Sequence, residues 1–153
     1  MKITVLAVGK MGDRRLGALC QEYRQRLGHH VQVNEIEVAK ASRGDPNSVM
    51  EQEAERLASA TPEGALTVAM TEEGKTLRSV EVAQAVNRWM VNGRKEIVFY
   101  IGGAHGLAGT LKQSAQRRWS LSAMTFPHDI ARMLLWEQLY RAMTIIRHEP
   151  YHK

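Results

Sequence analysis

The run SAMTFPHDIAR, residues 122–132, places a titratable imidazole beside an irregular loop. His128 stands at the start of a helix pattern, and the residues before it are small, hydroxylated, or bulky and apolar. Leu121, Met124 and Phe126 could wall a flat aromatic ligand while loop amides and carbonyls contact its edges; alternatively, they are core residues. The run predicts either a pocket lined by backbone groups or an ordinary turn into a helix.

A second candidate is the turn IGGAHG at residues 101–106, which follows the clearest strand pattern of the chain, residues 97–101. Glycines at the carboxyl end of a parallel strand let the backbone approach a ligand closely, at the edge where open α/β sheets bind small molecules. The motif is not GxGxxG, and a plain strand-to-helix turn explains it as well.

Several kinds of chemistry have no motif in this chain. There is no P-loop lysine motif, no HExxH, no Ser-His-Asp signature and no carboxylate pair of evident spacing, so metal catalysis and acyl transfer are poorly supported. Cys20 is the only cysteine, which excludes an internal disulfide and a CxxC metal site. We therefore expect no metal.

Charge and hydropathy suggest the partners and the compartment. The formal net charge is +5; residues 1–100 hold 14 Lys/Arg and 13 Asp/Glu, whereas residues 101–153 hold 7 and 3. A basic C-terminal third favours a polyanion such as RNA, although ordinary solubility charge is an equal alternative. The opening apolar run is too short for a signal peptide, and no stretch could span a membrane. We expect a soluble, cytoplasmic protein without a membrane partner.

Alternating strand and helix patterns predict a three-layer α/β fold with five mostly parallel strands in one domain, residues 1–153. The predicted strands are residues 3–8, 31–38, 66–70, 97–101 and 119–121. The predicted helices are residues 16–27, 48–60, a helix capped by Ser79, residues 110–116 and residues 128–147. Residues 72–75 are predicted to form a loop.

The last predicted helix carries apolar residues around nearly its whole circumference, so it needs cover on two sides. A second copy of the chain is the favoured cover, and burial within one subunit is the alternative. Pro127 is expected near the first helical position, with Asp129 in the first turn favourable for the helix dipole. Pro150 is expected to end the helix and leave residues 151–153 as a free tail.

The motifs IGGAHGL, SLSAMTFPH, EQLYRAMTII and HEPYHK, with the opening MKITVLAVGK, resemble one family over the whole chain. It is the RlmH family, bacterial pseudouridine N3-methyltransferases of large-subunit ribosomal RNA in the SPOUT class. The resemblance implies a C-terminal trefoil knot, a homodimer, and S-adenosylmethionine as methyl donor. The donor-binding residues that it implies are Met70, Gly102, Gly103, Leu121, Ser122, Ala123, Met124, Thr125 and Phe126.

The implied reaction needs a group that removes the proton from N3 of the base, and histidine is the usual one. His128 and His152 are the candidates, and Tyr151 could hydrogen-bond or stack on the base. Arg141 could hold a phosphate or the developing anion; an ion pair with Glu137 is the equal alternative.

Arg141, Tyr151, His152 and Lys153 are the expected RNA contacts, with the assembled ribosome as the implied partner. The rival hypotheses are a non-catalytic RNA-binding dimer and a nucleotide-dependent enzyme of the doubly wound type.

Overall fold

The computed structural model describes residues 1–153 and contains five strands and five helices. The strands are β1 (Lys2–Val8), β2 (Gln32–Val38), β3 (Leu66–Thr76), β4 (Glu96–Ile101) and β5 (Arg117–Ser120). The helices are α1 (Arg14–Gly28), α2 (Pro46–Ser59), α3 (Ser79–Val91), α4 (Gly109–Ser114) and α5 (His128–Ile146). None of these helices combines the length and apolarity needed to cross a bilayer.

The five strands form one sheet in the order β2-β1-β4-β3-β5, and every pairing is parallel. Helices α1, α3 and α5 cover one face, where they pack on Val5 and Phe99. Helices α2 and α4 cover the other face, where they pack on Leu6 and Val98. Because both faces are covered, β1 and β4 read as continuous apolar runs. The predicted three-layer α/β architecture is confirmed.

Strand β3 corrects one prediction, because residues 72–75 belong to the strand and are not a separate loop. Its pairing with β5 is interrupted by a bulge between Met70 and Lys75, both of which pair with Trp119. Gly74 makes this close approach possible, since a Cβ there would lie 2.6 Å from the backbone nitrogen of Trp119. Strand β5 ends at Ser120, so the predicted strand residue Leu121 lies in the following loop.

The start of α3 also differs from the prediction. Arg78, not Ser79, holds the cap position, and the Glu81 carboxylate accepts a hydrogen bond from the Arg78 backbone N–H at 2.8 Å. Ser79 is the first helical residue, and its hydroxyl donates to Gln138 of α5 at 2.7 Å. The serine therefore ties α3 to α5 and does not cap its own helix.

The C-terminal end of α5 is built differently from the sequence prediction. Pro127 occupies the cap position just before the first helical residue, near the position expected. The helix ends at Ile146, four residues before Pro150, because His148 adopts a left-handed backbone conformation with φ 56°. Such a residue stops a helix and turns the chain away from its axis.

Cover for α5 within one chain comes from α1 and α3. Its buried residues are Arg132, Leu135, Trp136, Leu139, Ala142, Met143 and Thr144. Apolar side chains on the rest of its circumference, including Ile130, Met133 and Leu134, stay half-buried. The helix is therefore enclosed by its own chain on one side and partly open on the other.

Candidate functional site

A cavity of about 740 Å³ opens at the carboxyl ends of β3, β4 and β5. Parallel strands end at the same sheet edge, so segments far apart in sequence meet there. Residues 101–107, residues 120–128 and the bulged part of β3 supply most of its wall. Of the predicted donor-binding residues, the cavity is lined by Met70, Gly102, Gly103, Leu121, Ser122, Met124, Thr125 and Phe126. Ala123 is exposed and lies off this wall.

Gly102 is required by the packing of the turn that follows it. A Cβ on Gly102 would lie 2.6 Å from the carbonyl oxygen of Gly106 and 2.8 Å from the nitrogen of Leu107. The turn itself is closed by a 3.0 Å hydrogen bond from the Gly106 N–H to the Gly103 carbonyl. The packing of its own turn therefore requires a glycine here, and Gly102 also lines the cavity, so the approach of a ligand to its backbone stays a prediction.

Other glycines of the wall do leave open space. A Cβ on Gly106 or on Gly109 would meet no heavy atom within 4 Å, and both residues line the cavity. Gly106 also has φ +82°, a conformation that L side chains rarely adopt.

Hydrogen bonds within the loop fix its shape. The Ser120 hydroxyl donates to the Ser122 carbonyl at 2.8 Å, and the Met124 N–H donates to the Ser122 hydroxyl at 3.0 Å. Leu121 and Phe126 are half-buried on the cavity wall, and Met124 is 69% exposed. None of these three belongs to either buried cluster of the core.

Two carboxylates on the wall were missed by the sequence prediction. Glu72 accepts a hydrogen bond from the Thr125 hydroxyl at 2.9 Å, which joins β3 to the loop. Glu73 accepts from Lys112 of α4 at 2.9 Å, and this hydrogen bond lowers the pKa of the Glu73 carboxyl. The polar run Thr71 to Lys75 signalled a loop, and nothing in it indicated a bulge facing a cavity.

His128 lines the cavity at the first turn of α5. Its Nε2 atom lies 3.4 Å from Oδ1 of Asp129. The other carboxylate oxygen of Asp129 accepts from the backbone N–H groups of Gly12 and Asp13, at 3.0 and 3.3 Å. Asp129 therefore ties the loop after β1 to the cavity, in addition to the expected interaction with the helix dipole.

Arg132 is a second residue that the sequence prediction missed. It is 1% exposed, and its guanidinium donates to Glu35 and Glu37 of β2 and to the Gly9 carbonyl. Trp136 donates to the same Glu35 carboxylate at 2.8 Å. Glu35 and Glu37 alternate along β2 and point to the face that carries α5. Two carboxylates on that face were the signal in the sequence that a buried cation would be needed.

The predicted free tail is wrong for Tyr151, which packs on its own chain. The Tyr151 hydroxyl donates to Glu137 at 2.9 Å, and its ring meets Tyr140 edge-on at 4.8 Å. Burial, then the neighbouring Tyr23 and Glu137, raises the pKa of Tyr151 above its usual range. His152 and Lys153 are exposed.

Arg141 makes the ion pair with Glu137 that the sequence left as an alternative. Its guanidinium also lies 4.7 Å from the centre of the Tyr151 ring, and its Nη1 lies 3.3 Å from Nδ1 of His152. The hydrogen bond to Glu137 raises the pKa of Arg141. Arg141, Tyr151 and His152 thus form one cluster, here called the tail cluster, with Glu137 at its centre.

The tail cluster and the cavity lie near opposite ends of α5. His128 and Arg141 are separated by 13 residues of one helix, which spans roughly 20 Å at about 1.5 Å per residue. A single chain therefore brings Gly102, residues 121–126 and His128 together but keeps Arg141, Tyr151, His152 and Lys153 apart from them. No group of three or more His, Cys, Asp or Glu side chains is arranged to hold a metal ion.

Comparison with known proteins gives one family. A family model described as "Predicted SPOUT methyltransferase" matches residues 1–152. A protein of Sorangium cellulosum named "Ribosomal RNA large subunit methyltransferase H" is 44% identical over 151 residues, which cover 99% of each chain. A protein of Chromobacterium violaceum with the same name is 40% identical and covers 100% of this chain and 99% of its own.

Two solved structures share the fold at low identity. A probable methyltransferase from Bordetella pertussis has a TM-score of 0.55 at 16% identity, covering 92% of this chain and 95% of its own. A probable methylase family protein from Haemophilus influenzae has a TM-score of 0.54 at 11% identity, covering 99% of this chain and 70% of its own. At such identities the likeness shows the fold alone.

Proposed function

The chain belongs to the SPOUT methyltransferase family, and on that premise we propose that it methylates N3 of a pseudouridine in large-subunit ribosomal RNA. S-adenosylmethionine is the proposed methyl donor. Full-length identity of 40–44% to relatives named ribosomal RNA large subunit methyltransferase H supports this substrate class. The observation that carries the proposal is the cavity in which the IGG turn and residues 121–126 meet.

The residues around the cavity fit a methyl-sulfonium nucleoside. A volume of about 740 Å³ is in the range of small-molecule sites, and open positions at Gly106 and Gly109 leave backbone accessible to a ligand. Met70, Leu121 and Phe126 supply apolar wall. Lys112 on the wall pairs with Glu73, and Glu72 adds a negative charge that suits a cationic sulfonium. The bound donor supplies an electrophilic methyl group, so the protein has to align the base and manage its proton.

The proposed active unit is a homodimer, because the tail cluster cannot reach the cavity of its own chain. Pairing of α5 with α5 of a second copy, in opposite directions, sets one tail beside the other cavity. The half-buried apolar residues Ile130, Met133 and Leu134 supply a surface for such pairing. In this arrangement Arg141, Tyr151, His152 and Lys153 act on RNA held at the partner's cavity.

The trefoil knot also belongs to this proposal. The chain passes along the sheet edge in β5, runs beside the bulge of β3 in residues 121–126, and then crosses to the α1 and α3 face as α5. The hydrogen bond between Thr125 and Glu72 marks the crossing. One cytoplasmic domain over residues 1–153 is the proposed unit. The assembled ribosome is the proposed substrate, since a small chain has little surface of its own for reading RNA.

The rival hypothesis of a dinucleotide-dependent enzyme is not favoured. The strand order β2-β1-β4-β3-β5 differs from the 3-2-1-4-5-6 order of the doubly wound dinucleotide-binding fold. A non-catalytic RNA-binding dimer would bind ribosomes without transferring a methyl group.

Transfer of a labelled methyl group to ribosomes from a strain that lacks this modification tests the proposal. We expect one methyl group per large subunit, located by mass spectrometry on a pseudouridine, with binding of S-adenosylmethionine but not NAD by calorimetry. Isolated 50S subunits and 70S ribosomes, assayed side by side, identify the form of the substrate. Donor binding without any transfer would favour the non-catalytic dimer, and binding of NAD alone would favour the dinucleotide enzyme.

A further inference from the structure

The two candidate histidines differ in which ring nitrogen faces a charged neighbour. We propose that His128 accepts the N3 proton of the base through Nδ1, whereas His152 donates a hydrogen bond from Nε2–H to a carbonyl next to N3. This assignment deepens the proposed function and rests on it.

His128 faces Asp129. Its Nε2 lies 3.4 Å from Asp129 Oδ1, a buried oxygen that has no hydrogen-bond partner. The other oxygen of Asp129 is held by the N–H groups of Gly12 and Asp13, which fix the plane of the carboxylate. A carboxylate only accepts hydrogen bonds, and a buried oxygen without a donor is costly, so the neutral ring is stabilised with its proton on Nε2, which faces Oδ1. The free nitrogen of His128 is then Nδ1, which has a lone pair and can take a proton.

His152 is oriented by Arg141. Nη1 of Arg141 lies 3.3 Å from Nδ1 of His152, and a guanidinium has hydrogen-bond donors but no acceptor. Nδ1 of His152 therefore accepts, and its proton is on Nε2. Arg141 donates a hydrogen bond to Glu137, which also accepts one from the Tyr151 hydroxyl. The free nitrogen of His152 is a donor and lies on the side of the ring away from a positive charge.

The two free ring nitrogens suit two tasks in the methyl transfer, because one can accept the N3 proton and the other can donate a hydrogen bond to a neighbouring carbonyl. The N3 proton moves to Nδ1 of His128, and the electron pair of the N–H bond forms the new bond between N3 and the methyl carbon. The pair of the broken carbon–sulfur bond stays on sulfur, so the sulfonium becomes a neutral thioether. Negative charge that develops on the uracil carbonyls is stabilised by Nε2–H of His152, whose ring Arg141 orients. Asp129 stabilises the imidazolium that forms at His128.

Other titratable groups on the cavity wall are less suited to accept this proton. Glu73 is paired with Lys112, and Glu72 accepts from Thr125. His105 also lines the cavity, but no carboxylate lies within ion-pair distance of its ring. Asp129 is thus a positioning residue for His128, and Glu137 is one for the tail cluster.

Nitrogen NMR of protein carrying nitrogen-15 histidine tests the His128 assignment without any turnover. We expect the neutral His128 ring to be protonated on Nε2 in the wild type. In Asp129→Asn the amide oxygen keeps the contacts to Gly12 and Asp13, so the amide N–H₂ faces the ring and shifts the proton to Nδ1. Asp129→Ala has neither the carboxylate oxygen nor the amide N–H₂, so it should favour neither tautomer. The control is His29→Gln, at an exposed site at the end of α1. A His128 tautomer that is the same in Asp129→Asn as in the wild type overturns the assignment.

Methyl transfer by matched substitutions tests the division of roles. Glutamine can donate a hydrogen bond but cannot accept a proton as a base. We expect His128→Gln and His128→Ala to lose about 100-fold or more in kcat alike. His152→Ala should lose about 100-fold, and His152→Gln no more than about tenfold, because its amide still donates.

Equal losses for His152→Gln and His152→Ala, with a near-normal rate for His128→Gln, would reverse the roles. Absence of transfer by the wild type would refute the proposed function instead, and the tautomers would still be measured.

Discussion

Replacing Arg132 by methionine should destabilise the protein strongly, although the arginine lies outside the cavity wall. The side chain is 1% exposed and is bound by Glu35, Glu37 and the Gly9 carbonyl. Without it, the buried Glu35 carboxylate loses one of its two arginine partners. Breaking a buried ion pair from one side costs about 3–5 kcal/mol. Glu35 keeps Trp136 and Arg24 as partners, so we expect the lower end, about 3 kcal/mol.

Urea unfolding at a fixed protein concentration, followed by circular dichroism, measures this loss. A cost of about 3 kcal/mol corresponds to a fall in the midpoint of roughly 1–2 M urea. Arg15→Met is the matched control, because Arg15 pairs with Asp13 at an exposed site and should leave the midpoint unchanged.

A second substitution separates the charge effect from lost packing. Arg132→Met combined with Glu35→Gln removes the stranded charge, so the double variant should be more stable than Arg132→Met alone. If Arg132→Met cost less than about 1 kcal/mol, or if the two losses simply added, the buried charge would not be the main cause of the destabilisation.

Three further outcomes are expected. Gly102→Ala should weaken donor binding by about tenfold or more in calorimetry, because its Cβ would press on the Gly106 carbonyl oxygen at 2.6 Å. Gly28→Ala, which lies outside the cavity and whose Cβ makes an ordinary 3.8 Å contact with Val33, should bind nearly normally, and equal affinities of the two variants would contradict the packing argument. Deleting residues 151–153 should leave donor binding nearly intact and abolish methylation of ribosomes, and normal methylation by the truncated chain would show that the tail has no part in the mechanism. Tyr151→Phe, which loses the hydrogen bond to Glu137, should lower the rate of methyl transfer by about tenfold. Burial, and then the nearby Glu35, raises the pKa of the Cys20 thiol to about 11. The folded state therefore gains stability from this group below about pH 9 and loses it as the pH rises towards 11. The urea midpoint should fall between pH 9 and pH 11, and it should fall less in Cys20→Ala than in the wild type.

The sequence predicted the sheet well where local pattern and burial agree. β1 and β4 are buried on both faces, so their apolar runs are unambiguous. The end of β3 could not be predicted, because residues 71–76 are polar and pair with β5 only across a bulge. Nor could the docking of Tyr151, whose hydroxyl lies 3.5 Å from that of Tyr23, 128 residues earlier in the chain. Contacts at such separation leave no local pattern.

The sequence predicted correctly that two backbone segments meet at one edge of the sheet, but it did not show the side-chain partners there. The IGG turn and residues 121–126 follow two parallel strands, and the strand ends fixed their meeting at one edge. The partner of His128 is its neighbour Asp129, which the sequence assigned only to the helix dipole. The close packing of Gly102 against Gly106 was also missed, because the sequence does not show how this turn folds back on itself.

The order of strands in the sheet also sets when the cavity can exist during synthesis. β1 pairs with β4 some 94 positions later, at Lys2 and Glu96, and the β3 wall waits for β5, which begins at Arg117. Strand pairings between residues so far apart in sequence form slowly, because the long loop between them must first be closed. A chain that has not yet been synthesised through His128 consequently cannot enclose the cavity, because the segment at residues 120–128 supplies much of its wall.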